Sequence, residues 1–278
     1  MPLKSFKVGG VTVRAGHPLI MGVLNVTPDS FSDGGRYAAT RGAVARALEM
    51  EREGANILDI GGESSRPGAA PVTTDEELRR VVPVIAGVRK KSSIPISIDT
   101  AKADVAHAAL EAGADIINDI TGFINSAMVA VAARHKAAVI VMHMQGSPRT
   151  MQKGPRYKNV VAEVSSFLRK QAATLEKSGV RRIILDPGIG FGKTVEHNLA
   201  LLKNLPRLKK LGYPVMVGAS RKSFIGALTG AGVDDRLPGT LAAHLWAVSQ
   251  GAAIVRAHDV AAHRQALEII EKIAVKPV

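Results

Sequence analysis

Five times this chain repeats one short phrase: a glycine, an apolar run too short for a helix, and a polar residue at its far end. The copies are Gly54-ANILDI, Gly113-ADIINDI, Gly179-VRRIILDPG, Gly212-YPVMVGAS and Gly251-AAIVRAHD. Each follows a stretch with helical periodicity, and glycine is the usual left-handed cap there because it has no Cβ to clash. Runs such as Ile183-Ile184-Leu185 are apolar on both faces, as a buried parallel strand must be. The alternation of strand, helix and cap is that of a parallel α/β fold. The polar residues Asp59, Asn118, Asp186, Ser220 and Arg256 then fall at or just past strand carboxyl ends, where such folds place their chemistry.

Counting apolar runs gives eight strands: Leu19 to Leu24, Asn56 to Ile60, Ile94 to Ile98, Asp115 to Asn118, Ala138 to Met142, Ile183 to Leu185, Pro214 to Val217 and Ala252 to Val255. Helical stretches separate them: Thr40 to Glu53, one opening at Thr74, Ala103 to Ala112, Val160 to Ser178, Glu196 to Leu211, Gly239 to Gln250 and Ala261 to Ala274. Thr74-Asp-Glu-Glu77 reads as a capping box. The pattern predicts a (β/α)8 TIM barrel, with a doubly wound open sheet as the alternative. Residues 1–16 alternate polar and apolar around Gly9-Gly10 and predict an N-terminal β-hairpin. With no Pro/Gly/Ser-rich linker, residues 1–278 read as one domain. Long loops are expected at Thr27 to Ala39, Gly61 to Thr74 and His143 to Asn159.

Composition narrows the function. No cysteine excludes disulfides and thiolate metal sites, and no apolar stretch approaches the roughly 20 residues of a membrane helix. A cytoplasmic protein is expected. The net charge of +13 raises a nucleic-acid-binding module as a rival reading, but the basic residues are scattered in short pairs and aromatics are only 4%. An anion-attracting surface fits better.

In a barrel the strand ends converge on one pocket. Carboxylates and carboxamides there suit the N–H/NH2 edge of a flat, nitrogen-rich heterocycle. Arg66, Lys222, Arg256 and His258 form a cationic set able to hold an anion such as pyrophosphate. Singly, several have plainer readings: Asp99-Thr100 as a helix cap, Asp59 as a structural carboxylate bonded to loop amides, His143 as a loop histidine. Gly188-IGFGKT imitates a phosphate-binding P-loop, but Gly188 to Gly192 leaves three residues where four are needed, with Pro187 in place of the first glycine. Its glycines are better explained by tight turns or close backbone approach.

The stretches Met21-GVLNVTPDSFSDGG, Leu58-DIGGESSRPGA, Ser97-IDT, Ile117-NDITG, Val141-MHMQGSPRTMQ, Ile184-LDPGIGFGKT, Gly218-ASRKSFIG and Val255-RAHDV resemble the dihydropteroate synthases. They run in order over nearly the whole chain. The resemblance implies the same barrel and a condensation of (7,8-dihydropterin-6-yl)methyl diphosphate with 4-aminobenzoate, releasing pyrophosphate. By resemblance, Asp99, Asn118, Met142, Asp186 and Lys222 bind the pterin, and Ser65, Arg256 and His258 hold the pyrophosphate. Asn25 is implied as a ligand of Mg2+. Asp29, Phe31, Arg66 and Pro67, with Phe191, Lys222 and Ser220, are implied around the aminobenzoate. The loops Thr27 to Gly35 and Gly62 to Gly68 are implied as closing elements, sulfonamides as competitors, and a homodimer as the assembly. Ser65 stands where the family usually has Thr; the hydroxyl survives. A methyltransferase holding methyltetrahydrofolate in a related barrel is the nearest rival. It could share Asp99, Asn118 and Asp186 but would need neither Arg66-Pro67, Lys222 nor a pyrophosphate site.

Overall fold

The computed structural model describes residues 4–14, 16–27, 35–64 and 68–274. Eight parallel strands form the centre: β3 (Leu19–Asn25), β4 (Ile57–Gly61), β5 (Ile96–Asp99), β6 (Ile116–Asp119), β7 (Ala138–Met142), β8 (Ile183–Asp186), β9 (Met216–Val217) and β10 (Ile254–Ala257). They pair in the order β8-β7-β6-β5-β4-β3-β10-β9. The ring closes where Leu185 N–H donates to the Pro214 carbonyl at 2.9 Å, beside a parallel bridge between Leu185 and Val215. This is the TIM barrel that the sequence predicts.

Successive side chains on a strand alternate between faces. Outward residues such as Ile98, Ile117, Val139 and Leu185 join the aliphatic core beneath the helices. Inward residues Met21, Ile57, Ile116, Ile140, Ile184, Met216 and Ile254 fill the barrel itself. The hairpin of β1 (Phe6–Val8) and β2 (Val11–Val13) is antiparallel and turns at Gly9, at φ 52°. Its Val8 and Val13 are fully buried in the inner cluster, so it plugs the amino-terminal end of the barrel. The five glycines that open the repeated phrase all sit at positive φ, between 89° and 110°.

The outer layer is α1 (Gly35–Arg52), α2 (Thr74–Arg89), α3 (Ala103–Glu111), α4 (Ser126–Arg134), α5 (Val160–Lys177), α6 (Val195–Lys203), α7 (Leu205–Lys209), α8 (Ser223–Thr229), α9 (Leu237–Ser249) and α10 (Val260–Ala274). Three sequence expectations need correction. The predicted 196–211 helix is two, because Pro206 near the start of α7 has no N–H to continue the ladder. Helices α4 and α8 were not expected; each is short, and packing against the barrel, rather than propensity, holds such helices. The cap of α2 is Thr73, whose side chain accepts from Glu76 N–H, and not Thr74. Glu77 is instead fully buried and bonds Lys102 at 2.5 Å.

Truncating the inner layer should be costly. Ile140→Ala leaves a void among residues that cannot collapse into it, and should lower unfolding free energy by about 2–5 kcal/mol. Ile273→Ala, at a side chain 74% exposed on α10, should change it by less than about 0.5 kcal/mol. Urea unfolding midpoints measure both; equal shifts would contradict the assignment of Ile140 to a tightly filled interior.

Candidate active site

Most inward columns run from apolar to polar toward the carboxyl end of the strand. Ile57 is followed two residues on by Asp59, Ile116 by Asn118, Ile184 by Asp186 and Ile254 by Arg256; Ser97 is followed by Asp99, and Val23 by Asn25. The period of two that buries the isoleucines therefore delivers the polar groups to the same axis, one layer higher.

Arg256 is the hub. Its Nε donates to Asp59 Oδ2 at 2.5 Å and its Nη2 to Asp99 Oδ2 at 2.7 Å. Asn118 Nδ2 donates to the same Asp59 oxygen at 3.1 Å. Asp59 is fully buried, so its bonds run to a guanidinium and a carboxamide across the barrel, not to loop amides as expected. Two carboxylates hold the guanidinium cationic, well above its ordinary pKa. Burial raises the Asp99 carboxyl, with Arg256 opposing. Asp99-Thr100 does not cap α3, whose N-cap is Lys102 with no side-chain cap bond: Asp99 turns inward, while the Thr100 hydroxyl accepts from Lys102 N–H at 3.2 Å. Among the described residues, Asp59 Oδ1, Ser97 Oγ and Asn118 Oδ1 are buried without a hydrogen-bond partner. Three underpaired acceptors on neighbouring strands make this floor suited to a polar ligand edge.

Asp186 accepts from Gly188 N–H at 2.7 Å, and burial raises it to about 6 against that bond. The loop beyond is locked by its glycines. A Cβ on Gly188 would lie 2.0 Å from the His143 carbonyl oxygen, and one on Gly192 2.4 Å from that of Gln145. Close backbone approach, not phosphate binding, explains the imitation P-loop. Lys193, buried beneath it, reaches the carbonyls of Phe191 at 2.9 Å and His143 at 3.1 Å and the His143 Nδ1 at 3.2 Å. Burial brings Lys193 down to about 7 and His143 to about 3, so His143 is a neutral packing group.

The cavity has two compartments that share Gly218, Lys222 and Arg256. The inner is a slot of about 20 Å³ between Asp99, Asn118, Met142, Asp186 and Phe191. The outer is a mouth of about 540 Å³ that includes Asn25, Ser64, Met151, Ser220, Arg221, Arg236 and His258. Lys222 lies over the Phe191 ring, Nζ 3.9 Å from its centroid, at the boundary. The Ser220 hydroxyl accepts from His258 N–H at 3.2 Å and lies 2.9 Å from His258 Nδ1. Donating its own proton to Nδ1 leaves the ring proton on Nε2. Burial, then Arg256 and Arg221, lowers His258 to about 4, so it is a neutral donor and not the cation the sequence suggested.

The structure thus brings together Asn25, Asp99, Asn118, Met142, Asp186, Phe191, Ser220, Lys222, Arg256 and His258. Asp29, Phe31, Ser65, Arg66 and Pro67 lie outside the described residues.

Several supports went unseen in the sequence. Arg221 sits at φ 56° between Ser220 and Lys222. Its N–H donates to Thr240 Oγ1 at 3.0 Å and its guanidinium to Asp259 at 2.6 and 3.1 Å. Ala219 N–H donates to His244 Nε2 at 2.9 Å, His244 Nδ1 meets His263 Nε2 at 2.8 Å, and His263 Nδ1 meets the Asp259 carbonyl at 2.7 Å. The Ala219 amide can only donate and the Asp259 carbonyl only accept, so both rings are neutral with their protons on Nδ1. That chain ties the β9 loop to the β10 loop. The signal available was only a histidine in the largely apolar α9 and another in the amphipathic α10, which usually means a satisfied core residue.

Comparison with known proteins agrees with this geometry. The profile of the family described as "Pterin binding enzyme" matches residues 21–258. The dihydropteroate synthase of Synechocystis sp. is 48% identical over 258 residues, covering 91% of this chain and 89% of that one. A structure of Xanthomonas albilineans dihydropteroate synthase with 4-aminobenzoic acid superposes with TM-score 0.92 at 43% identity, covering 99% of this chain and 100% of that one. The same enzyme in complex with 7,8-dihydropteroate gives TM-score 0.88 at 42% identity, with 99% and 100% covered. A match of this extent, over a barrel whose strand ends hold the residues the motifs named, means that the chain belongs to the pterin-binding enzyme family and, within it, to the dihydropteroate synthases.

Proposed function

We propose that the chain joins a dihydropterin, activated as its 6-methyl diphosphate, to 4-aminobenzoate, with the slot taking the ring and the mouth taking the diphosphate and the amine. The observation that carries this reading is the pairing of a carboxylate-and-carboxamide slot with a basic mouth across one shared wall of Gly218, Lys222 and Arg256. The slot has room for about one water molecule, so the ring enters as Lys222 leaves the face of Phe191. Ionised Asp186 then accepts from the N–H/NH2 edge, Asn118 and Asp99 bond the remaining ring polar atoms, Lys222 donates to the ring carbonyl, and Met142 packs on a ring face.

The methylene-to-oxygen bond breaks with its electron pair leaving on the diphosphate, and the aniline nitrogen attacks the methylene and loses one proton. Arg256, held in place by Asp59 and Asp99, faces the developing negative charge, and His258 Nε2–H, oriented by the Ser220 hydroxyl, supplies a neutral donor at the same wall. Asn25, at the carboxyl end of β3 on the mouth, offers a carboxamide oxygen among hydroxyl and phosphate oxygens, a donor set that suits Mg2+. When bound, Mg2+ would neutralise charge on the diphosphate oxygens. Ser65 joins the anion site in this reading, and Asp29, Phe31, Arg66, Pro67, Phe191 and Ser220 shape the aminobenzoate slot. A cytoplasmic homodimer completes the proposal; among the described residues no helix is long and apolar enough to cross a membrane.

Incubation of the purified chain with the pterin diphosphate, 4-aminobenzoate and Mg2+ should yield dihydropteroate and pyrophosphate, resolved by chromatography. EDTA should suppress turnover, and indifference to it would remove Asn25 from a metal role. Pterin binding should depend on Asp186 being ionised. Because its carboxyl in the free protein titrates at about 6, affinity should be level above that pH and fall by up to about tenfold per unit below it. In Asp186→Asn, binding should be weak and this slope gone; calorimetric titration between pH 5 and 8 reads both. Lys222→Ala should weaken pterin and aminobenzoate together, each by roughly tenfold or more, since the side chain borders both compartments. Loss for one substrate alone would displace it from the shared wall.

A further inference from the structure

On the outside of the barrel, helix α3 ends beside the end of α4 with two histidines facing each other. His107 Nδ1 and His135 Nε2 are 2.8 Å apart, with ring centroids 5.0 Å apart and planes inclined by 53°. Glu111, one turn beyond His107 on α3, brings Oε1 to 3.6 Å from His135 Nδ1. One ligand atom from each of the three lies within 4.8 Å of the others. Nothing in the mechanism uses these residues, and they share no wall with the slot or the mouth.

We propose that His107, Glu111 and His135 form a second, transition-metal site of this chain, taking Zn2+, Ni2+ or Co2+. Residues four apart on a helix share a face, so His107 and Glu111 converge without backbone change. His135, the C-cap residue of α4 at φ −83° and ψ −3°, is fixed by its own backbone N–H bonds to Val131 and Ala133. Two imidazoles and one carboxylate are a borderline-soft donor set that selects these ions over Mg2+. Ligands about 2.0–2.1 Å from a tetrahedral ion lie roughly 3.4 Å apart, so the two rings need part by only about 0.6 Å to admit one. His135 would bind through Nε2 with a proton on Nδ1, and His107 through Nδ1 with a proton on Nε2. Glu111 is the adjustable member, with its side chain 64% exposed and able to swing from the Nδ1 edge toward the ion. The fourth position opens to solvent. The ion would clamp α3 to α4, the helices that follow the strands bearing Asp99 and Asn118.

The test uses tag-free full-length protein, stripped with chelator and titrated calorimetrically with ZnCl2 and NiCl2, and with CoCl2 while the visible d–d bands are followed. One saturable ion per chain is expected, with a rise in Tm. His107→Gln and His135→Gln should each weaken binding roughly tenfold or more and remove the tetrahedral cobalt bands, and Glu111→Gln should weaken it less. Turnover with Mg2+ should be unchanged in all three variants. His258→Gln should leave the ion bound, which separates this site from the mouth. The proposal is overturned if no ion saturates, or if binding survives in both histidine variants, or if it is lost in His258→Gln. The first outcome would mean that the two rings only hydrogen-bond each other.

Discussion

The guanidinium of Arg256 between Asp59 and Asp99 is the interaction on which the rest of the interior depends. Asp59 is fully buried, and removing a carboxylate from water costs several kcal/mol before any partner is counted. Replacing such buried ion pairs by well-packed apolar side chains of similar volume is often neutral or stabilising, so stability alone does not account for them. The acidic and basic groups offset one another only because each strand delivers its member to the same height, so the pairing fixes strand register, guanidinium orientation and the floor of the slot together. Asn118 donating to the same Asp59 oxygen extends this frame to β6.

Above that layer the loops are held by other devices. The β9 loop is tied through His244 and His263 to the β10 loop, and Arg221 is tied to Asp259 in the same direction. Lys193 fastens the β8 loop onto the β7 loop, where absent Cβ atoms allow backbone contact. Lys102 bonds Glu63 and Glu77, and Arg80 donates to the Gly62 carbonyl at 2.7 Å, anchoring the start of the β4 loop. Slot and mouth are therefore built on bonds between strand-end segments far apart in sequence. Such a frame is rigid where the charges meet, with Lys222 lying over the Phe191 ring at the boundary of the two compartments.

Much of this was legible in the chain. Alternation of apolar runs with glycine-capped periodic stretches gave all eight strands, since short runs flanked by glycine have few other physical readings. The inward polar residues were found because each breaks an apolar run at its end. What escaped notice were elements whose stability is not local. The α4 segment SAMVAVAAR and the α8 segment SFIGALT carry weak periodic signals. The split at Pro206 was in plain view, but a single proline near a helix end does not by itself say whether the helix kinks or restarts.

The sequence by itself determined the strand count, the barrel and the residue types at its carboxyl end, because side-chain period and backbone stereochemistry are properties of neighbouring residues. Only the tertiary structure decided what those residues do to one another. It made Arg256 a paired hub, His258 a neutral donor, Asp186 a carboxylate raised to about 6, and His107 a neighbour of His135. The reason is that charge state and hydrogen bonding depend on distance and solvent exposure, and neither is set until segments separated in sequence, by 28 residues for His107 and His135 and by 197 for Asp59 and Arg256, have packed.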